Sequence, residues 1–446
     1  MSETLGERIR AVRVARGMSQ AELARDLFTA SYVSLIEADK RVPEQPVLEQ
    51  LADRLDTTAD YLKTGHDPAK VQDQQLAVNF AELALANGQL DDALTRFREL
   101  VTGTPPALRS RAVWGVARVL EAQGDLQGAI TAVESLVDDA RADRAHEPSL
   151  LALLNNRCGL YREAGDLNHS IELGASALAE ARELGLSGTE EEIRLATTLV
   201  GCYWDRGDLT RAHLLVQEVI KRAEEHGSHQ AKGSVYWNAS LVAEARGQRH
   251  LAIHMAERAV ALLGEGADDY SLAKIRVVLA WMLLRATPPS VDRAEEILQR
   301  SLEIMSLLGV DREIAGCEIE LARVRLLQGR PVEAAEFTLR VIERLGGVRD
   351  GELARATLVH AQALIAGGDT KGGVVQVHAA LDIIGGLTRR RQQAQLLREA
   401  ADILVAVNQL ADAVDAYRRL ADCVGTTAAP AAGKLNTAQL AGYLTR

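Results

Sequence analysis

Aromatic residues are scarce, making up 4% of a chain of 446 residues. β-Sheets draw on aromatic and β-branched side chains, and this sequence is instead rich in Ala and Leu, so an all-α protein is expected. Cysteine is scarce too: Cys158, Cys202, Cys317 and Cys423 lie far apart, with no C-x-x-C among them. That spacing speaks against a disulfide framework or a Cys-based zinc module and predicts reduced, mostly buried thiols in a cytoplasmic protein. No run approaches the roughly 18 apolar residues of a membrane span. The start, MSETLGERIR, lacks the apolar core of a secretion signal. There is no phosphate-binding loop, no G-x-S-x-G and no H-E-x-x-H. His250 and His254 are four apart on one helix face, and His226 and His229 are three apart, but no Cys or carboxylate set completes a tetrahedral metal site. No enzyme, cofactor or metal centre is expected.

A basic surplus is also missing. The net charge is −11, and residues 1–66 hold nine Lys/Arg against eleven Asp/Glu. Non-specific coating of nucleic acid is therefore excluded, while a module using a few placed phosphate contacts is compatible with the balance.

Residues 19–43, SQAELARDLFTASYVSLIEADKRVP, carry the most information. Ser19 and Glu22 form an S-x-x-E capping box, so a short helix should begin at Gln20 with Leu23, Ala24 and Leu27 on its apolar face. Thr29 is placed to cap a second helix in which Val33 and Ile36 point inward. Two short helices about a tight turn are the helix-turn-helix geometry, whose second helix enters a DNA major groove. Ser31, Tyr32, Ser34 and Leu35 then project outward. None of them is the Asn, Gln or Arg of a bidentate base contact, so sequence preference should be weak or depend on DNA shape.

LGERIRAVRVARGMSQAELA (5–24), SLIEADKRVP (34–43) and LEQLADRLDTTADYL (48–62) resemble the five-helix, lambda-repressor/Cro-like (XRE-type) DNA-binding domain. The turn in LFTASYVSLIE is one residue shorter than usual, a feature similar to the peptide-pheromone receptor regulators of the PlcR and Rgg type. The resemblance implies a double-stranded DNA partner, a homodimer on two half-sites and Gln20 as a phosphate contact at a helix N-terminus. Arg16, Lys40 and Arg41 are placed either as further phosphate contacts or as solvated surface charges. The resemblance also implies tetratricopeptide repeats downstream.

From about residue 71 a repeat does appear. NGQLDDA, QGDLQGA, AGDLNHS, RGDLTRA, RGQRHLA, PPSVDRA, QGRPVEA, GGDTKGG and VNQLADA end on Ala93, Ala129, Ser170, Ala212, Ala252, Ala294, Ala334, Gly373 and Ala413, spaced 36 to 42 residues apart. Twelve residues before them lie Ala81, Ala117, Cys158, Ser240, Ala322, Ala361 and Ala401, with Val200 and Met282 as exceptions. Small residues at both places let two antiparallel helices approach closely. The pattern resembles a tetratricopeptide-repeat right-handed superhelix of about nine helix pairs.

In that family the first helix of each pair lines a groove, through offsets −18, −15, −11 and −8 from the small residue. These offsets hold Trp114, Trp204 and Trp237, with Arg111, Arg118, Arg162, Arg194, Arg276, Arg323, Arg355 and Arg398. Asn155, Gln75, Gln362, Glu121 and Glu244 join them, and Asn79, Asn156 and Asn238 lie one step away. Trp281 falls at −13 and should be core. Arg forks and flat Trp surface suit an extended ligand bearing a carboxylate. The other reading is that these Arg pair with Glu of neighbouring repeats and the Trp plug helix gaps.

The expected organisation is a DNA-binding domain over 1–66, a linker over 67–70, a repeat domain over 71–424 for ligand or partner binding and dimerisation, and a flexible tail over 425–446. The function it suggests is a cytoplasmic transcriptional regulator whose groove senses a peptide or other small signal. A protein-interaction scaffold, and a constitutive repressor using the repeats only to dimerise, stay open.

Overall fold

The computed structural model describes residues 4–102, 104–142, 147–265, 269–387 and 390–423. All regular structure among them is helical, in two compact units divided between Leu160 and Tyr161. No helix of the described residues is long and apolar enough to cross a membrane.

The first unit begins with α1 (Leu5–Ala15), α2 (Gln20–Ala24), α3 (Ala30–Glu37), α4 (Gln45–Arg54) and α5 (Ala59–Thr64). Local chemistry fixes four of these five starts: Thr4 and Ser19 form capping boxes, and the Thr29 and Thr58 hydroxyls accept from the backbones of Tyr32 and Tyr61. Ile9, Leu23, Val33, Ile36, Leu48, Leu51, Leu55 and Leu62 are buried together as the core of this bundle. Leu27 departs from expectation, being 43% exposed. α2 ends at Ala24, so Leu27 falls beyond it, and half-buried Phe28 packs on the core instead.

The expected linker over 67–70 is also revised. Asp67 caps α6 (Pro68–Ala86) through a bond from the Ala69 N–H, and Pro68 takes the first helical position, where its missing N–H costs nothing. Only Gly65 to Asp67 separate α5 from α6. α7 (Leu90–Leu100), α8 (Pro106–Gln123), α9 (Leu126–Ala142) and α10 (Leu150–Glu163) follow, with the unit division inside α10.

The second unit holds α11 (Leu167–Glu183), α12 (Glu190–Arg206), α13 (Leu209–His226), α14 (His229–Ala245), α15 (Arg249–Gly264), α16 (Asp269–Leu284), α17 (Val291–Leu308), α18 (Asp311–Leu327), α19 (Pro331–Arg344), α20 (Gly351–Ala366), α21 (Thr370–Gly385), α22 (Arg390–Ala406) and α23 (Leu410–Cys423). From α12 onward successive helices pack as pairs: α12 on α13, α14 on α15, and so on to α22 on α23. The turns explain the sequence signature. Gly207 ends α12 at φ 85°, a left-handed conformation that glycine adopts without cost, and Asp208 then caps α13 by accepting from the Arg211 N–H. Asn408 takes the glycine's place before α23, at φ 62°.

The small residues identified from the spacing are buried, from Ala93 and Ala129 to Ala334 and Ala413. So are their counterparts twelve earlier, including Val200 and Met282. The turn from α16 to α17 is the irregular one: it spans Arg285 to Ser290, where the α14–α15 turn needs only Arg246 to Gln248. The tail over 425–446 lies outside the described residues.

Candidate nucleic-acid interface and ligand cavity

On α3, Val33 and Ile36 are buried while Ser31, Ser34 and Leu35 are exposed and Tyr32 is half-buried. Tyr32 stacks near Phe28, and the Arg41 guanidinium lies 4.8 Å from its ring centre. Lys40 and Arg41 are exposed just beyond the helix. Two expected phosphate contacts are occupied within the domain. Gln20 donates through Nε2 to Glu37 Oε2 at 2.8 Å. Arg16 reaches across to Asp56, bonding its carbonyl at 3.0 Å and its carboxylate at 3.2 Å.

Most of the expected groove residues do not converge. In the first unit Arg111 is paired with Glu82 at 2.8 Å, Trp114 is half-buried, and Arg118 is exposed. Asn155 and Asn156 lie on α10, the latter donating to Glu121 at 3.4 Å. In the second unit Arg162 pairs with Asp205 at 2.5 Å, and Arg194 with Glu190 at 2.6 Å. Asn238 donates back to the Ser234 carbonyl of its own helix, and Trp237 packs on the hydrophobic core. Arg276 lines a smaller hollow with Glu257, Arg293 and Arg300, away from the residues described next.

A cavity of about 760 Å³ does exist in the second unit, bounded by the first helices α12, α14, α16, α18, α20 and α22. Of the expected groove residues, Trp204, Arg323, Arg355, Arg398, Gln362 and Glu244 line it. Trp281 lines it as well, contrary to its expected place in the core. The long Arg285–Ser290 turn shifts the register of α16, so a count back from Ala294 assigns Trp281 and Arg276 to the wrong faces.

Trp204 is oriented by a bond from Nε1 to the Leu241 carbonyl at 3.0 Å. The Arg391 guanidinium lies over its ring at 4.3 Å and donates to its carbonyl at 3.4 Å, joining α22 to α12. Arg285 mirrors this over Trp281, at 4.5 Å. Neither forms an ion pair among the described residues. Burial lowers the pKa of both, helped at Arg285 by repulsion from Arg323, while Asp205 and Glu244 pull upward at Arg391.

Arg323 is answered by Glu399 at 2.6 Å, and Arg355 by the fully buried Glu320 at 2.6 Å. Burial drives Glu399 upward, yet the Arg323 charge and hydrogen bond outweigh it and hold the carboxyl below its usual range. The groove-face reading missed Arg285 and Arg391. Arg285 was legible as the residue four after Trp281, just past the end of α16; Arg391 had no local signal, because its partner Trp204 is distant in sequence.

A family model described as a helix-turn-helix domain matches residues 4–63. The chain is 33% identical over 100 residues to the HTH-type transcriptional regulator PrpR of Mycobacterium tuberculosis, a match taking in 21% of this chain. It thus spans about a fifth of that relative's length, 20%.

Among solved structures, a Rap protein complexed with competence and sporulation factor covers 79% of this chain and 98% of its own, with a TM-score of 0.55 at 11% identity. That likeness shows the helical-repeat fold alone. PlcR from Bacillus thuringiensis, solved with a peptide and DNA, covers 63% of this chain and 99% of its own at 14% identity and a TM-score of 0.38.

Proposed function

We propose that the protein is a cytoplasmic, DNA-binding transcriptional regulator whose response is set by a small signal, a peptide or another compact molecule, in the cavity of the second unit. The observation that carries this reading is a Trp-lined cavity with Arg285, which has no ion pair among the described residues, at its wall, on the same chain as a helix-turn-helix domain. Solved relatives named for peptide and DNA complexes make such a pairing of parts reasonable. In this reading α3 enters the major groove, Tyr32 and the serines meet base edges or phosphates, and Lys40 and Arg41 contact the backbone. The chain acts as a homodimer on two half-sites. The signal acts by binding one arrangement of the repeats better than another.

A second reading has a specific observation behind it. Arg111, Arg162 and Arg194 are all held by acidic neighbours, as a constitutive repressor or an interaction scaffold would permit. Retention of fragmented genomic DNA on purified protein tests the function. Discrete fragments lost by the double variant Tyr32→Ala/Ser34→Ala support a sequence-specific regulator; uniform retention, unchanged in the variant, contradicts it.

A further inference from the structure

The geometry points to an apolar monocarboxylate, a compact anionic amphiphile, as the occupant of the second unit's cavity. This deepens the proposed function and rests on it for the choice of the cavity as the signal site.

Size argues first. About 760 Å³ falls within the range of roughly 300–1,000 Å³ typical of small-molecule sites. The face made by the first helices does not run on as an open trough here, because Arg391 over Trp204 joins α22 to α12. An extended peptide, advancing about 3.3 Å per residue, would have to part that contact; a compact ligand would not.

Charge argues second. The lining carries Arg285, Arg323, Arg355 and Arg398 against Glu244, Glu399 and Asp402. Arg323 is paired with Glu399 at 2.6 Å, Arg355 with Glu320 at 2.6 Å, and Arg398 with Asp402 at 3.8 Å. Among the described residues this leaves Arg285 and Glu244 without ion pairs in the lining, and Arg391 without one over Trp204. Glu352 adds a second carboxylate to Arg355 at 3.0 Å, so the paired groups hold no positive surplus, and Arg285 is the guanidinium of the lining left to meet an anion. One carboxylate matches one open guanidinium; a dianionic phosphate ester would carry surplus charge toward Glu244 and Glu399.

The remaining surface decides the body of the ligand. Val277, Ile365, Leu396 and Ile403 face the cavity together with the two Trp rings, which suits an aliphatic or aryl chain. Arg285 is held over Trp281 with its fork free of acidic partners, the arrangement that receives a carboxylate through two parallel bonds.

Calorimetric titration of the full-length, dialysed protein with sodium decanoate tests this, with decanol and decyl phosphate as matched neutral and dianionic probes. Saturable binding of decanoate at one site is expected, at least tenfold tighter than either probe. Arg285→Gln should weaken it at least tenfold. Ala406→Trp, an exposed position that lines the cavity, should abolish it by filling the space, and serves if Arg285→Gln folds poorly.

Decanol binding as tightly as decanoate, decanoate binding unaffected by both variants, or no decanoate binding would overturn the inference. The two proposals fail separately. Decanoate that binds at this site without changing DNA retention removes the signal reading and leaves the ligand class standing. DNA retention that responds to a peptide while decanoate stays silent does the reverse.

Discussion

Arg13 on α1 and Glu37 at the end of α3 share a two-pronged ion pair, Nε to Oε1 at 2.5 Å and Nη2 to Oε2 at 2.9 Å. Arg13 also donates to the Met18 carbonyl at 2.7 Å, and Gln20 completes the Glu37 carboxylate, so one acid ties α1, α2 and α3 together. The Glu after Ile36 therefore holds the domain, leaving Ser31, Tyr32, Ser34 and Leu35 to face outward.

Burial pushes the Glu37 pKa up, but the bonds from Arg13 and Gln20 outweigh it and set the carboxyl below its ordinary range. A depressed folded value means that the stabilisation is complete above the unfolded pKa of about 4.3 and is lost as pH falls through the folded value. Glu37→Gln should cost about 3–5 kcal/mol, because it strands Arg13, whereas Arg13→Met/Glu37→Leu should recover most of that. Hydrogen exchange of α1–α3 amides in the full chain reads both effects. Protection should fall below about pH 4 in the wild type and lose that dependence in Glu37→Gln.

DNA affinity should divide the outward residues into two classes. Tyr32→Ala or Ser34→Ala should cost about 1–3 kcal/mol and relax sequence preference. Lys40→Gln or Arg41→Gln should weaken all sequences alike and lower the salt slope by about 1 each. Arg16→Gln should change affinity little, since Asp56 already holds that side chain. Fluorescence anisotropy across a salt series separates these outcomes.

At Gly373 the repeat architecture requires the absence of a side chain. A Cβ there would lie 2.4 Å from Ile365 Cγ1 and 2.9 Å from the Ala361 carbonyl oxygen, across the α20–α21 contact. Gly373→Ala should destabilise the second unit by about 1–3 kcal/mol through overpacking, even though seven other repeats carry Ala at this place. An unchanged urea midpoint would contradict the close approach.

Arg391 over Trp204 fastens α22 to α12. Arg391→Ala should remove a desolvated cation–π contact worth about 2 kcal/mol and wet the indole. The Trp emission should shift to longer wavelength, and the shift should vanish in a Trp204→Phe background.

Much of this was legible because its causes are local. Capping boxes at Thr4 and Ser19, the Gly-Asp turn at Gly207–Asp208 and the paired small residues at Ala361 and Gly373 each act over a few residues or one helix contact. The cavity was only partly legible. Its face was found through Trp204, Arg323 and Arg355, but one lengthened turn displaced Trp281 and Arg276 from their counted positions. Partners far apart in sequence left no local mark: Gln20 on Glu37, Arg16 on Asp56 and Arg391 on Trp204 follow from packing, not from periodicity.

The central claim is that the state of the cavity sets DNA binding. The direct measurement is operator affinity of dialysed protein with and without a low-molecular-weight filtrate of native lysate, in wild type and in Ala406→Trp. The account predicts a shift of about fivefold or more in the wild type and none in the variant. No shift in either protein, or an equal shift in both, would contradict it.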